Sequence, residues 1–129
     1  RLALPGILVI RAPRYTPPTE NNHEGAVKRF LTECALPENC PLVILVDDSE
    51  FTARSLENWL WTTFTRSDPA RDLHGCGEFI SRKHWGCTGS LVIDARLKPH
   101  HAPPLVENPQ VSQRVDALAA KSGPLYGII

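Results

Sequence analysis

The sequence has neither an excess of one charge nor a long apolar run. Fourteen Lys and Arg residues are balanced by fourteen Asp and Glu residues, so the chain has no overall attraction for a nucleic-acid backbone or an anionic membrane. No apolar stretch approaches the roughly 20 residues that a membrane-spanning helix needs. These absences predict a cytoplasmic protein that binds neither nucleic acid nor membrane.

Methionine is absent, and cysteine is scarce. The 129 residues include four cysteines, Cys34, Cys40, Cys76 and Cys87, and 42% of the residues are apolar. A chain of this size can form a core without disulfides, so reduced thiols are expected. A chain that begins at Arg1 and has no methionine is not expected to be an intact translation product. We therefore expect its function to belong to something larger.

Three short apolar runs predict strands. They are residues 6–10 (GILVI), 42–46 (LVILV) and 91–93 (LVI), and no polar residue interrupts them. This pattern is typical of strands that are covered on both faces of a largely parallel sheet. Together with the helices described next, it predicts an α/β fold. We expect one domain, residues 1–129, with a three-layer, open, largely parallel sheet and helices packed on it.

Three helices are predicted by apolar residues that recur every three or four positions. The apolar positions are Val27, Phe30, Leu31 and Cys34 in the first, Leu56, Trp59, Leu60 and Phe64 in the second, and Val111, Val115, Leu118 and Ala119 in the third. The candidate caps are Asn21 and Asn22 for the first, Ser49 or Thr52 for the second, and Asn108 followed by Pro109 for the third. Pro69 is expected to end the second helix, and proline-rich residues 99–104 predict a rigid connector.

Residues 75–89 show no helical periodicity. Glycine, cysteine and tryptophan stand there beside Arg82, Lys83 and His84. This composition predicts a long loop, the kind of segment on which functional residues concentrate.

Asp47 and Asp48 follow the second predicted strand directly. Because open α/β sheets bind ligands at the carboxyl ends of their strands, two carboxylates there can hold a hard cation such as Mg²⁺. The structural alternative is that Asp48 and Ser49 begin the next helix and satisfy its unpaired N–H groups.

The same segment also suggests a response-regulator receiver, with Asp94 as the phosphoacceptor at the end of a later strand. Two observations oppose this hypothesis. A receiver carries its acidic pair near the N terminus, whereas a whole strand and helix precede Asp47 here. The residues after Asp94 predict only a connector and one helix, with no later strands for the Thr or Ser and the Lys that a receiver needs.

Soft ligands cluster in the predicted loop. His74, Cys76, His84 and Cys87 are possible zinc ligands, and either cysteine is a possible nucleophile beside a histidine. Neither half has the Cys-x-x-Cys spacing that makes a zinc prediction specific, so small buried thiols are the simpler interpretation. The neighbouring pair His100 and His101 is expected to be exposed at the surface.

The order of several segments resembles the C-terminal region of UbiD-family decarboxylases. The segments are residues 43–48 (VILVDD), 56–66 (LENWLWTTFTR), 68–72 (DPARD) and 90–95 (SLVIDA). In that family a hydrophobic strand that ends in acidic residues leads to a helix with a tryptophan, then to Thr-Arg, a proline and an aspartate. The resemblance covers roughly residues 6–118. The matching motif residues are Asp47, Asp48, Trp59, Arg66, Pro69, Asp72 and Asp94.

The resemblance implies a parent enzyme that reversibly removes carbon dioxide from aromatic, heteroaromatic or α,β-unsaturated acids, using prenylated FMN with a divalent metal and potassium. The family's Glu-Arg-Glu set and its flavin and metal ligands lie in a preceding domain, and this chain has none of those positions. The resemblance therefore implies no catalytic, cofactor-binding or metal-binding residue here. Arg66 and Asp72 have opposite charges and are expected to pair beside the turn at Asp68 and Pro69.

The family's C-terminal domain pairs subunits and leans over the substrate side of the flavin. The resemblance thus implies two partners, an upstream flavin-binding domain and a second copy in a homodimer or larger assembly.

Trp59 and Trp61 face different sides of one helix, so one is expected in the core and the other at an interface. An independent small subunit or binding protein on the same scaffold is the alternative function.

The loop of residues 77–89 is expected to lie at the carboxyl edge of the sheet, where open α/β sheets bind ligands, and to reach the substrate. Its candidate residues are His84, as a hydrogen-bond donor, Trp85, as a stacking face, and Cys87 beside them. The alternative is that Trp85 only anchors the loop in the core.

Overall fold

The computed structural model describes residues 1–17, 25–33, 36–102 and 106–128. The predicted cap at Asn21 and Asn22, the apolar position Cys34 and part of the proline-rich connector lie outside the described residues. The strands are β1 (Leu2–Leu4), β2 (Ile7–Arg11), β3 (Leu42–Val46), β4 (Leu73–Gly75), β5 (Glu78–Ser81), β6 (His84–Cys87) and β7 (Leu91–Asp94). The helices are α1 (Gly25–Glu33), α2 (Ser49–Thr52), α3 (Leu56–Thr65) and α4 (Pro109–Ala119). These elements confirm the α/β class and the three predicted strands.

A five-stranded sheet in the order β1-β2-β3-β7-β4 forms the centre of the fold. The three predicted strands, β2, β3 and β7, are parallel neighbours, whereas β1 and β4 pair antiparallel at the two edges. The sheet is therefore mixed rather than largely parallel. Both edge strands have only three residues, which is too short for a recognisable alternation in the sequence.

Side chains alternate between the two faces along the central strands, and helices pack against the apolar side chains on both faces. On one face, Val9, Ile44 and Val46 form a buried cluster against which Ala53 and Trp59 pack. On the other face, Val43, Leu45 and Val92 form a second cluster with Val27, Phe30 and Leu31 of α1. Uninterrupted apolar strands are thus explained by burial on two sides, as the sequence predicted.

Helix α3 buries a different face from the predicted one. Its buried residues are Thr62 and Thr63, while Trp59 is partly buried against the core. The exposed fractions of Leu56, Leu60 and Phe64 are 48%, 40% and 69%. The apolar stripe therefore faces outward, and Trp61, 47% exposed, lies beside it. The prediction that one tryptophan of this helix serves the core is confirmed for Trp59, and an interface at the exposed Trp61 stays a prediction.

The caps of this region also differ from the prediction. Asp48 caps α2, where its Oδ1 accepts hydrogen bonds from the backbone N–H groups of Glu50 (2.9 Å) and Phe51 (3.0 Å). Ser55 caps α3, since its Oγ accepts from the N–H of Asn58 at 3.2 Å. The proposals of Ser49 and Thr52 as caps are wrong, because a separate short helix precedes α3 and contains both residues.

Residues 75–89 do not form the predicted loop. Strands β5 and β6 pair antiparallel in a hairpin, with Ser81 opposite His84. Arg82 and Lys83 make the two-residue turn with φ values of 48° and 68°, positions that usually favour Asn-Gly. A Cβ on Gly86 would come within 2.8 Å of the Phe79 ring, so glycine lets the ring cover the opposite strand. The hairpin was missed because its turn lacks the usual residues.

Helix α4 begins as predicted. Asn108 is its cap, Oδ1 accepting from the N–H of Gln110 at 3.0 Å, and proline follows in the first turn. None of its described residues is buried; Val111, Val115 and Leu118 are 51%, 40% and 43% exposed. Among the helices that the structure describes, none is long and apolar enough to cross a membrane.

Candidate functional site at the carboxyl edge of the sheet

The connections that follow β2 and β3 leave the sheet toward opposite faces. Ala12, just after β2, packs with the α1 cluster, whereas the segment after β3 leads to Ala53 on the other face. In open α/β sheets this divergence opens a crevice at the carboxyl ends of the two strands. A cleft lies there, lined by residues 11–16, Asp47, Arg66, residues 97–99, His101 and Ala102.

Asp94 and Arg96 form a buried ion pair below the cleft. Arg96 donates from Nε to Oδ1 of Asp94 at 2.8 Å and from Nη2 to Oδ2 at 2.6 Å, and the side chains are 2% (Asp94) and 5% (Arg96) exposed. Burial raises the pKa of Asp94, but the hydrogen bonds and charge of Arg96, with the charge of Lys98, outweigh burial and hold that pKa below its usual value. The carboxylate therefore stays ionised.

Lys98 is a second buried cation, and it pairs with Asp72. Its Nζ lies 3.2 Å from Oδ2 of Asp72 and donates to the backbone oxygens of Asp94 (2.6 Å) and Arg66 (3.2 Å). The predicted pair of Arg66 with Asp72 is therefore wrong, because Lys98 occupies the position beside Asp72. Asp72 also accepts from the N–H of Asp68 at 2.7 Å, so it fixes the turn before Pro69 as expected.

Arg66 pairs with Asp47 instead. Its Nη1 lies 3.6 Å from Oδ2 of Asp47, and its guanidinium stacks over the Trp61 ring at 5.1 Å. The same Oδ2 of Asp47 accepts from the N–H of Leu97 at 2.7 Å. Asp47 and Asp48 thus have separate structural roles, one joining β3 to the segment after β7 and the other capping α2. The contacts therefore support the structural interpretation of Asp47 and Asp48 that the sequence offered beside a cation site.

Tyr15 and His101 complete the cleft. The Tyr15 ring lies 5.4 Å from the guanidinium of Arg96 and 5.6 Å from Nζ of Lys98, so an aromatic face covers both buried cations. The backbone N–H of Lys98 donates to Nδ1 of His101 at 3.1 Å. Burial lowers the pKa of His101, and the charges of His100 and Lys98 act in the same direction. The ring is therefore neutral at pH 7 and carries its proton on Nε2.

No three His, Cys, Asp or Glu side chains in the described ranges form a group that can hold a metal. His74 and Cys76 therefore have no such group with His84 and Cys87. The receiver hypothesis also fails on geometry, because Asp94 is 2% exposed and Arg96 occupies both carboxylate oxygens. A phosphoacceptor needs an accessible carboxylate.

The hairpin with His84, Trp85 and Cys87 lies at the opposite end of the parallel strands from the cleft. Gly75 ends β4 opposite Leu91, the first residue of β7, so the hairpin leaves from the amino ends of the parallel strands. The expectation that this segment lies at the carboxyl edge is wrong, because β4 runs antiparallel to its neighbour. His84 and Trp85 are exposed, and Cys87 donates from Sγ to the oxygen of Gly89 at 3.4 Å.

Comparisons with known proteins agree with the resemblance in the sequence. The chain is 36% identical over 75 residues to a 4-hydroxybenzoate decarboxylase subunit of Chlamydia pneumoniae. The chain is distantly similar to part of a UbiD-type decarboxylase. The match covers 58% of this chain and 13% of that protein. An uncharacterised protein of Chlamydia trachomatis is 37% identical over the same length, again with 13% of the relative covered.

No family model matches the chain. A solved structure of the Sedimentibacter hydroxybenzoicus vanillic acid decarboxylase, in an open form, aligns with 89% of this chain and 27% of its own, at a TM-score of 0.40 and 18% identity. The chain thus spans about an eighth of the length of the UbiD-type relative that it matches.

Sequence reasoning found Asp47, Asp94, Arg66 and Asp72 but missed most of the cleft's cations. The missed cations are Arg11, Arg14, Arg96 and Lys98, and the uncharged side chains of Tyr15 and His101 were not assigned to the cleft either. A signal was present, since basic residues stand at or just after the ends of both β2 (RAPRY, residues 11–15) and β7 (ARLK, residues 95–98). Parallel strands bring such positions to one edge, but only the strand order makes β2, β3 and β7 neighbours.

Proposed function

We propose that this chain is the C-terminal domain of a UbiD-type decarboxylase, where it pairs subunits and covers the substrate side of the flavin. The similarity over 75 residues to a 4-hydroxybenzoate decarboxylase supports the family relation. The observation that carries the pairing role is the outward stripe of α3. The proposed parent acts on aromatic or unsaturated carboxylic acids, and this domain alone is not catalytic.

The α3 stripe is defined by Leu56, Leu60, Trp61 and Phe64. Three of these residues recur at every fourth position, which places them on one face of the helix. A soluble domain rarely exposes a contiguous apolar patch of this kind unless a partner covers it, and aromatic residues are enriched where partners meet. Self-complementary pairing of two stripes is the simplest closed assembly. We therefore propose a homodimer that packs α3 of one copy against α3 of the other.

The proposed parent uses prenylated FMN with a divalent metal and potassium, bound in the upstream flavin-binding domain. The described residues offer no group of three metal-binding side chains, so we propose none of them as a ligand of that metal. We assign it no chemical step.

The hairpin is the proposed substrate-side element. Phe79, Ile80 and Trp85 are 47%, 78% and 46% exposed, which is an unusual concentration of apolar surface for one short hairpin. In the proposed assembly this surface contacts the parent's flavin-binding domain, and Trp85 and His84 reach the substrate. The hairpin lies away from the carboxyl-edge cleft, so this role does not require the cleft.

Light scattering over micromolar concentrations tests the pairing role. The wild-type chain is expected to be a dimer, and Phe64→Glu is expected to shift it to monomer, because a charge in an apolar interface loses its hydration. Ile80→Glu, at an equally exposed apolar position on the hairpin, is the matched control and should leave the dimer intact. A wild-type chain that is monomeric at every concentration contradicts the pairing role. Dissociation by Ile80→Glu alone would move the interface to the hairpin.

The alternative is an independent small subunit or ligand-binding protein on the same scaffold. The cleft at the carboxyl edge favours it, since a binding protein needs only such a site. Turnover by the reconstituted parent in the absence of this chain, together with ligand binding by the chain alone, would support this alternative.

A further inference from the structure

We propose that the carboxyl-edge cleft binds a small oxyanion, a carboxylate or phosphate group, between the side chains of Arg66, Arg14 and His101. This site meets the α3 stripe only at Trp61, on which Arg66 stacks, and it lies away from the hairpin, so its test does not depend on whether the chain pairs subunits.

The first support is the charge of the lining. Among the described residues that line the cleft, four are cations, Arg11, Arg14, Arg66 and Lys98, and one is a carboxylate, Asp47. The chain as a whole has no net charge, so this local excess is a feature of the site. A concave surface lined by one sign of charge concentrates counter-ions of the opposite sign.

The second support is that the buried cations are paired with carboxylates, whereas the arginines that line the cleft are not tightly paired. Lys98 and the Arg96 beneath it are satisfied by Asp72 and Asp94. Within the described part of the chain, by contrast, Arg11 and Arg14 have no ion-pair partner, and Arg66 makes only a 3.6 Å contact with Asp47. The buried cations therefore build the floor, and the three arginines keep donors available to a ligand.

The third support is that the Arg66 donors are held in place. Stacking on Trp61 fixes the plane of the guanidinium, and Asp47 holds one end. A guanidinium with a fixed plane presents two parallel N–H groups to an oxyanion without losing much rotational freedom. His101 adds a neutral donor, because Lys98 occupies its Nδ1 and leaves the proton on Nε2.

The segment that carries Arg14 is also anchored. The N–H of Ala12 donates to the oxygen of Val46 at 2.9 Å, and Arg96 Nη1 donates to the oxygen of Pro13 at 2.9 Å. These bonds join the residues after β2 to β3 and to the buried ion pair. The walls of the cleft are thus set by the sheet, which favours binding because little ordering is needed.

A two-dimensional ¹H–¹⁵N titration of the chain tests the site. Sodium benzoate and sodium phosphate are added separately at constant ionic strength, with sodium chloride as the reference salt. We expect saturable shifts of the amides of Ala12, Tyr15 and Leu97, with no shift in the hairpin. Saturation by benzoate alone identifies an organic acid as the ligand class, and saturation by phosphate alone identifies a phosphoryl group. Either outcome supports the site.

Substitutions give the specific test. Arg66→Gln is expected to weaken binding at least about tenfold, and Arg66→Lys to recover only part of the loss because the planar fork is gone. Arg71→Gln removes an arginine that also pairs with an aspartate but lies outside the cleft, and should bind as the wild type does. If Arg66→Gln is poorly folded, Arg14→Gln replaces it, with an expected loss of about threefold. Equal shifts with chloride, or unchanged affinity in both arginine variants, would overturn the proposal.

Discussion

Asp94 and Arg96 share two parallel hydrogen bonds of 2.8 and 2.6 Å inside the carboxyl edge of the sheet. The pair does more than neutralise two charges, because Arg96 also donates to the oxygen of Pro13 at 2.9 Å. It therefore links the end of β7 to the segment after β2. The stability of the domain and the shape of the cleft both depend on this pair.

Asp94→Asn is expected to destabilise the chain by about 3–5 kcal/mol, since it leaves the Arg96 guanidinium buried without its counter-charge. Urea unfolding at pH 7 measures the change. Asp68→Asn, at a half-exposed aspartate whose ion pair with Arg71 is at the surface, should cost well under half as much. Similar losses in the two variants would contradict the role given to the buried pair.

The ion pair of Asp94 and Arg96 also predicts that the domain loses stability at acid pH. Because the folded-state pKa of Asp94 is below its unfolded value of 3.8, the unfolded chain binds this proton more readily. The stabilisation is fully present above about pH 4 and is lost as the pH falls through the folded pKa. The free energy of unfolding should decline below about pH 4, and Asp94→Asn should flatten that decline. An equally steep decline in the variant would contradict the assignment.

His74 predicts a second pH dependence, at milder acidity. Burial lowers the pKa of His74, although the charges of Asp94, Glu78 and Asp72 act in the opposite direction. A folded pKa below the unfolded value means that stability is lost as the pH falls from about 6.5. His74→Gln should reduce the slope of unfolding free energy against pH between 7 and 5. His84→Gln, at an exposed position, is the control and should retain the wild-type slope.

The hairpin turn predicts a stabilising substitution. Arg82 and Lys83 both have positive φ, which costs an L-residue with an ordinary side chain roughly 1–2 kcal/mol. Arg82→Asn with Lys83→Gly should raise the unfolding free energy by about 1–2 kcal/mol, as thermal or urea unfolding can measure. The matched control, Ala at both positions, removes the charges without relieving the backbone. Equal stabilisation by the control would attribute the effect to charge.

The hairpin's proposed role predicts a functional effect in the parent enzyme. In a full-length decarboxylase that carries this domain, Trp85→Ala should raise KM roughly fivefold, as expected for the loss of one stacking contact of about 1 kcal/mol. His84→Ala should alter the range of acids that is accepted. Phe64→Ala, on the α3 stripe and outside the cleft, is the control for a change in assembly alone. Unchanged KM and substrate range in both hairpin variants would remove the hairpin from the substrate side.

The sequence determined the elements whose signals are local. Residues 42–46 are predicted and observed as the same strand, and Asn108 with Pro109 begins α4 as expected. An apolar run or a cap depends on neighbours a few positions away, so the sequence carries the information directly. The family resemblance is local in the same sense, since it depends on ordered segments.

Tertiary structure alone decided which charges pair and which faces are covered. Arg66 lies close to Asp72 in sequence, yet it pairs with Asp47, because Lys98 arrives from the segment after β7 to take Asp72. The stripe of α3 looks like a core face but points outward, while Thr62 and Thr63 are buried. Ion pairing and burial depend on which strands become neighbours and on which side each helix crosses. Those choices are made by the packing of the whole chain, and no local pattern encodes them.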